Sequence, residues 1–340
     1  MYKAVIIGFG KIGKLRARLI DSNENMTLDS ICDISHVPDM ERYRCPVFKD
    51  YREVLKRAPD IVFVCTSNDL LAKVVIEALD CGCHVFSEKP PGRNVAETKA
   101  MIDAENRNPE LKLKFGFNHR YHDSVMQAHR LATGGRFGKI LSVRGVYGKS
   151  GGVGFEKEWR NQRRFSGGGI LLDQGIHMLD LMMLFCGNFT EIKSFVDNLH
   201  WNIDVEDNTF ALMRNEENQI GMILSSATQW KHTFNLEIIL EDGYLALRGI
   251  LSGSMTYGKE SLVIARKTYD PKSIGNPHEE TYYYDIDNSW EREISEFIEC
   301  ITLNKAIKIG NSQDALKVME LVRRIYASDN HWVEKHDLIN

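Results

Sequence analysis

Short apolar runs alternate with helical patterns over the first third of the chain, and that alternation predicts βαβ units around a parallel sheet. Residues 2–7 are apolar apart from Lys3, as a strand buried on both faces must be. Residues 27–32, 61–65, 84–86 and 111–117 read as further strands, and 61–65 is rich in β-branched side chains. Helical spacing falls at 15–20, 69–79 and 96–105. After about residue 118 the pattern changes. Helices at 124–132 and 169–186 accompany period-two segments at 140–147, 191–199, 209–214, 219–228 and 236–240, with a turn at Glu241-Asp242-Gly243. Strands in succession with few helices between them argue for an antiparallel open sheet. Two helical segments, 290–302 and 312–327, close the chain. The fold expected is a doubly wound α/β domain over 1–118. An α+β domain with a large, mostly antiparallel open sheet follows over 119–340. No Pro/Gly/Ser linker marks the boundary, which rests on the change of pattern alone.

A length of 340 residues suits two domains with ample core. Hydrophobic residues at 43% and charged residues at 26% are ordinary for a soluble globular chain. The formal net charge of −4 supplies no bulk field to attract nucleic acid or an anionic membrane. No apolar run approaches the ~20 residues that span a bilayer. The N-terminus lacks the apolar region and cleavage site of a signal peptide. Seven cysteines without framework spacing fit a reducing compartment, so the expected location is cytoplasmic. Cys81 and Cys83 form a C-x-C with no second pair at zinc spacing, so no metal is expected there.

Gly8-Phe9-Gly10-Lys11-Ile12-Gly13 is a G-x-G-x-x-G that directly follows the first strand and opens the first helix. In that context the first glycine permits a tight turn and the second lets the backbone approach a pyrophosphate. The third allows close helix–strand packing, and the helix N-terminus faces the phosphates. Asp33 lies twenty residues beyond Gly13, where a carboxylate can accept from both ribose hydroxyls and would repel a 2′-phosphate. The cofactor expected is therefore NAD rather than NADP, on a Rossmann domain. Thr66 and Asn68, after the third strand, would lie at the same sheet edge; they serve equally well as a helix cap.

Glu88-Lys89-Pro90-Pro91 follows the strand that ends near Phe86, at the edge where a nicotinamide would sit. The prolines stiffen the loop, and an ammonium held there can stabilise a developing alkoxide. An exposed Glu-Lys pair would look the same in sequence. Gly167-Gly168-Gly169 leads into a helix carrying Asp173, His177 and Asp180, spaced to share one face. The rest of that helix is apolar on almost every side, so the polar stripe must meet partner groups or a polar cavity. His177 can accept a hydroxyl proton, and Asp173 can orient the imidazole or hold a neighbouring hydroxyl. The bland alternatives are a satisfied core histidine and a first-turn acid at the helix dipole.

The glycine motif, Glu88-Lys89-Pro90 and Gly167-Gly168-Gly169 leading to Asp173, His177 and Asp180 together resemble the Gfo/Idh/MocA oxidoreductases, over nearly the whole chain. The resemblance implies Lys89, Asp173 and His177 as the catalytic residues. It also implies an open second-domain sheet that commonly forms a homodimer or homotetramer interface. One departure is that Thr66-Ser67-Asn68-Asp69-Leu70-Leu71 lacks the proline and histidine usual in that loop. A glycine-rich stretch, residues 148–154, leads to Trp159 and Arg160, which could cover a sugar ring and grip an anion. This stretch resembles relatives from surface-carbohydrate and nucleotide-sugar synthesis. Asn118, Arg120 and Tyr121 are placed to line the same cleft, Arg120 more as a structural contact than as a substrate ligand. The expected activity is NAD-dependent oxidation of a secondary alcohol on a sugar, sugar nucleotide or cyclitol, or reduction of the ketone. A glycosidase that retains NAD and works by transient oxidation and elimination, and a non-catalytic sensor, are the competing readings.

Overall fold

Six parallel strands carry the first apolar runs. They are β1 (Tyr2–Ile7), β2 (Met26–Cys32), β3 (Val47–Phe48), β4 (Ile61–Val64), β5 (His84–Ser87) and β6 (Leu113–Phe115). Their order is β3-β2-β1-β4-β5-β6, and every pairing is parallel. The order reverses between β1 and β4, the switch point outside whose strand ends open sheets of this kind take their ligands. β4 is buried at all four positions, as a strand covered on both faces requires. β3 has only two residues and the following helix, Tyr51–Leu55, only five, too few for either to show a period in the sequence. The computed structural model describes residues 1–35, 43–252 and 256–336.

The chain forms two units. The first joins Met1–Phe117 to Arg164–Gly167 and Trp290–Met319; the second joins Asn118–Arg163 to Gly168–Ser289 and Glu320–Asn340. Residues 164–167 and 290–319 thus group with the first 117 residues. The cause lies in the amphipathic helix Ser289–Thr302. Its Ile294, Phe297, Ile298 and Ile301 join Ala4, Ile6, Phe63 and Phe86 in the core of the first unit. The Phe63 and Phe86 rings stack at 5.5 Å, and Phe297 meets them edge-on at 6.4 and 5.5 Å. Each such side chain gains about 1.5–3 kcal/mol on burial, enough to hold the returning chain against the parallel sheet.

The second unit is built on β7 (Ile140–Gly148), β8 (Phe189–Asp197), β9 (Asn208–Asn215), β10 (Ile220–Ser226), β11 (Thr233–Leu240), β12 (Gly243–Arg248), β13 (Glu260–Arg266) and β14 (Glu279–Tyr284). Their order is β14-β13-β12-β11-β7-β10-β9-β8, antiparallel throughout except for the pair β7 and β10. β12, β13 and β14 gave no clear alternation: β12 is buried at three consecutive positions, β13 at five of its seven, and β14 is exposed at its first five. A π-helical turn, Leu171–Gly175, runs into the helix Ile176–Cys186. That helix lies close on the sheet, since a Cβ at Gly145 would stand 2.5 Å from Met178 Cγ. The opposite sheet face exposes Phe195, Phe210, Leu212, Met222 and Ile239. Among the described residues one helical stretch, Arg163–Cys186, is long and apolar enough to cross a membrane by length and composition, but it is mostly buried inside the protein.

A Cβ added at Gly13 would stand 2.1 Å from the Gly8 carbonyl oxygen, a clash of backbone with backbone. Gly13→Ala is expected to cost about 1–3 kcal/mol. Urea unfolding should show this as a lower midpoint with an unchanged slope.

Candidate active site

The glycine loop of the first unit is shaped by two close approaches and one open position. Gly8 has φ +93°, and a Cβ there would stand 2.5 Å from the Cys65 carbonyl oxygen. Gly13 packs on Gly8. Gly10 instead faces open space, with nothing within 4 Å of its missing Cβ. It is also the N-cap of α1 (Lys11–Asp21) and makes no side-chain cap bond, so the first-turn amides are available to an anion. Asp33 stands just beyond β2, where its Oδ2 accepts from the Phe9 amide at 2.6 Å and its Oδ1 from the Ser35 amide at 2.7 Å. The carboxylate is thus fixed beside the loop, as a ribose ligand must be. These features fit a dinucleotide: the open Gly10 leaves room for a pyrophosphate, and Asp33 stands where the ribose would follow.

Other predicted cofactor contacts have structural duties. Phe9 is buried and meets Tyr43 edge-on at 5.0 Å. Lys11 is exposed and Ile12 half-buried. Thr66 Oγ1 donates to the Ser67 carbonyl at 3.1 Å, and Asn68 Nδ2 donates to the Ser166 carbonyl at 2.8 Å. Ser67 is the N-cap of the helix Asn68–Asp80, and Leu71 is fully buried within it. A core leucine therefore stands where related loops carry histidine.

Glu88, expected beside the cofactor, is buried and turned to Arg16. Arg16 Nε donates to Glu88 Oε1 at 2.8 Å, and Arg16 Nη2 donates to Glu293 Oε2 at 2.8 Å. The guanidinium is fully buried, 4.2 Å from the Phe86 ring centroid and 4.7 Å from that of Trp290. Burial pushes the Glu293 carboxyl up to about 7; Arg16 and Lys114 oppose the rise and Glu88 adds to it. The cluster ties α1, the end of β5 and the returning helix at the residue before Lys89. Lys89 itself is half-buried, and its peptide bond to Pro90 is cis.

In the second unit, Asp173, His177 and Asp180 do not form one uniform stripe. Asp173 sits in the π-helical turn, a form of helix that recurs at functional sites. Its Oδ2 accepts from Lys149 Nζ at 2.9 Å and from Gln174 Nε2 at 3.1 Å, and its Oδ1 lies 3.5 Å from Arg160 Nε. Asp180 is buried and grips Arg120, with Nε to Oδ2 at 2.8 Å and Nη2 to Oδ1 at 2.5 Å. Arg120 thus makes the structural contact and is spent on Asp180. His177 is 4% exposed and lies face to face with His119, with ring centroids 3.8 Å apart and planes 8° from parallel.

Polar partners hold the His119 ring. The Tyr147 hydroxyl lies 3.0 Å from His119 Nε2, and Asn118 Oδ1 lies 3.1 Å from His119 Nδ1. Burial, then Tyr257 and Asp173, hold the Tyr147 phenol well above its ordinary value, so it stays protonated. Asn118 Nδ2 donates to Ser289 Oγ at 3.1 Å, and Ser289 Oγ donates to Asp287 Oδ1 at 2.6 Å. These contacts fix the plane of the His119 ring, and with it the face on which His177 is stacked.

Of the predicted substrate residues, Asn118 and Tyr121 are buried, while Trp159 and Arg160 are half-buried with the guanidinium 4.5 Å from the Trp159 ring centroid. His119, Tyr147 and Lys149 were missed. His119 sits between two named residues, but a histidine in an N-H-R-Y run carries no spacing signal. Lys149 lies just past the end of β7, and only the sheet pairing reveals that it reaches Asp173. Among the described residues no group of three or more His, Cys, Asp or Glu is placed to hold a metal ion.

Two models of one family match the chain. The oxidoreductase family with an NAD-binding Rossmann fold matches residues 2–116, and the GFO/IDH/MocA C-terminal domain matches residues 125–246. The D-glucoside 3-dehydrogenase of Escherichia coli (strain K12) is 31% identical over 198 residues, 56% of each chain. The levoglucosan dehydrogenase of Pseudarthrobacter phenanthrenivorans is 33% identical over 149 residues, 43% of this chain and 38% of that one. The matches span about half the length of these curated relatives. A structure of levoglucosan dehydrogenase in complex with NADH and levoglucosan has a TM-score of 0.84 at 20% identity, covering 97% of this chain and 98% of that one. At that identity the likeness is one of fold.

Gly10→Ala should leave stability within about 0.5 kcal/mol of the parent, since its Cβ meets no protein atom. The same change should weaken NAD binding at least tenfold in calorimetry, about 1.4 kcal/mol. Glu293 gives a pH test. Its carboxyl titrates near 7 against an ordinary 4.5, so the folded chain binds that proton more tightly than the unfolded chain. The resulting stabilisation is present below the ordinary value and is lost as pH rises through about 7. Glu293→Gln cannot ionise, so it should gain stability relative to the parent as pH rises through that window. Parallel urea-unfolding curves across the window would refute the assignment.

Proposed function

Because the chain belongs to the Gfo/Idh/MocA family of oxidoreductases, we propose that it is an NAD-dependent dehydrogenase acting on a secondary alcohol of a sugar, sugar nucleotide or cyclitol. The observation that carries this reading is His177, a buried imidazole stacked on His119 beside the charged group of Asp173, Lys149 and Arg160. Glucosides and levoglucosan, named for the relatives, are polyhydroxylated rings, and that chemistry suits such a group.

NAD when bound supplies the hydride acceptor, held by the loop from Gly8 to Gly13 and by Asp33. The chain's own residues handle the rest of the substrate. Lys89 donates a hydrogen bond to the reacting hydroxyl oxygen and stabilises the negative charge that grows there as the C–H bond breaks. His177 accepts the hydroxyl proton, so the carbinol becomes a ketone as one hydride and one proton leave. Asp173, paired with Lys149 and Arg160, accepts a hydrogen bond from a neighbouring hydroxyl and fixes which carbon reacts. Trp159, Arg160 and Tyr121 flank the ring. Asn118 and Arg120 act behind it, through His119 and Asp180.

The exposed sheet face supports a homodimer or homotetramer. Phe195 lies opposite Phe210, which lies opposite Leu224, and Leu212 lies opposite Met222, so apolar side chains run across adjacent strands. A row of this kind is a self-complementary surface for a second copy. This reading needs no nucleic acid or membrane partner, and the cysteine usage supports a cytoplasmic location.

The purified chain, mixed with NAD and a panel of sugars, inositols and sugar nucleotides, should form NADH with at least one of them. His177→Ala should slow that reaction about 100-fold or more. Cleavage of glycosides without net NADH would replace the dehydrogenase by a redox-neutral glycosidase, and silence in both assays would leave a sensor. Light scattering should give a multiple of the chain mass, reduced by Phe210→Glu.

A further inference from the structure

Several loops of the second unit leave its sheet at one end. β7 and β10 run parallel with Gly148 opposite Ser226; β11 starts with Thr233 opposite Gly148, and β9 starts with Asn208 opposite Ser226. The segments after Gly148, after Ser226 and before Asn208 therefore emerge side by side. The first begins with Lys149, whose ammonium holds Asp173. The Gln229 amide donates to the Lys149 carbonyl at 3.1 Å, and Ser150 Oγ lies 3.2 Å from His232 Nδ1. The loop ends are thus tied to the group proposed to hold the reacting ring.

Each segment brings aromatic rings to this end. Trp201 is pinned, with its Nε1 donating to the Ala227 carbonyl at 3.0 Å and its ring centroid 5.0 Å from that of Phe155. It lies so close over Gly151 that a Cβ there would come within 2.1 Å of the indole. Trp230 meets His200 edge-on at 4.9 Å and Trp201 at 6.2 Å. Yet Trp230 remains 62% exposed. Its backbone also has φ +54°, a left-handed conformation that a bulky side chain avoids unless the surroundings impose it. Such outliers gather at active sites and ligand clamps.

Folding gains little from an indole held in a strained loop with most of its surface in water. A flat apolar face with a polar edge is instead suited to the C–H face of a sugar ring, whose hydroxyls stay wet. The rings that meet Trp230 belong to His200 and Trp201, and neither brings a fixed charge that would call for an ionic ligand. From Lys149 to Gly151, which lies under Trp201, two residues of extended chain span at most about 7 Å, the scale of one step between linked rings.

We propose that Trp230, backed by Trp201 and His200, is a stacking site for a second, uncharged ring, so that the preferred substrate is a glycoside of two rings rather than a free monosaccharide or inositol. This rests on the reading of Asp173 and His177 as the holders of the reacting ring. The second ring lies flat on Trp230, while the first meets Asp173 and His177. Specificity then resides in a residue that touches no reacting atom, and its removal acts on affinity and not on the chemical step.

The test is calorimetric binding of cellobiose, maltose, phenyl β-glucoside and glucose to the full-length protein, with NADH formation followed in parallel. At least one two-ring ligand should bind about tenfold or more tightly than glucose, the scale of one aromatic stacking contact. Trp230→Ala should erase that gap and raise KM for that ligand with kcat unchanged. Trp230→Phe should restore part of it, and light scattering should show the same mass for all three proteins. Equal binding of one-ring and two-ring ligands, a gap that survives Trp230→Ala, or a loss of oligomer mass in that variant would overturn the proposal. If no sugar reduces NAD while a two-ring ligand still binds through Trp230, the dehydrogenase reading falls and the stacking site stands.

Discussion

A buried apolar helix can carry two carboxylates and an imidazole only where each of them meets a partner, because an unpaired charge in a dry interior costs several kcal/mol. The arrangement of the second unit follows from that requirement. Asp180 takes the fork of Arg120, Asp173 takes the ammonium of Lys149, and His177 takes the flat face of His119. These partners come from the 3-10 turn Asn118–Tyr121 and from just past the end of β7, and each must be delivered at a fixed depth. The sheet order, which brackets β7 between β11 and β10, and the close seat of the helix over Gly145 provide that delivery.

The first unit solves a different problem with backbone instead of charge. Gly8 and Gly13 let strand and helix close on one another, and Gly10 leaves a face open at the helix N-terminus. Behind this loop Arg16 holds Glu88 and Glu293 in a fully buried cluster, one residue from Lys89. Removing the arginine would strand two buried carboxylates. The same side chain therefore links the first helix, the end of β5 and the helix that returns from the far end of the sequence.

Much of this was legible in the sequence. A buried parallel strand is a continuous apolar run, so β1 and β4 announce themselves, and the glycine motif gains its meaning from lying between β1 and α1. The antiparallel strands β8 to β11 alternate with one wet face and are equally readable. What could not be read depends on tertiary contact. The returning helix Ser289–Thr302 is amphipathic, but nothing local says that Phe297 meets Phe63 and Phe86. The π-helical turn, which places Asp173 apart from the spacing of an α-helix, has no sequence period of its own. Glu88 gives no local sign of its partner, since Arg16 stands 72 residues away. His119 and Lys149 were missed for the same reason: their roles exist only in the partners the fold gives them.

In the proposed reaction hydride leaves a carbinol carbon of the substrate for NAD while these residues manage the hydroxyl proton. Isotope transfer distinguishes this from any other fate of the hydrogen. Sugars carrying deuterium on their ring carbons would be incubated with the protein and NAD, and the recovered cofactor analysed by mass spectrometry. Deuterium should appear on the nicotinamide ring of NADH, in step with ketone formed from the sugar. Turnover of the sugar with no deuterium in the cofactor would rule out hydride transfer to NAD.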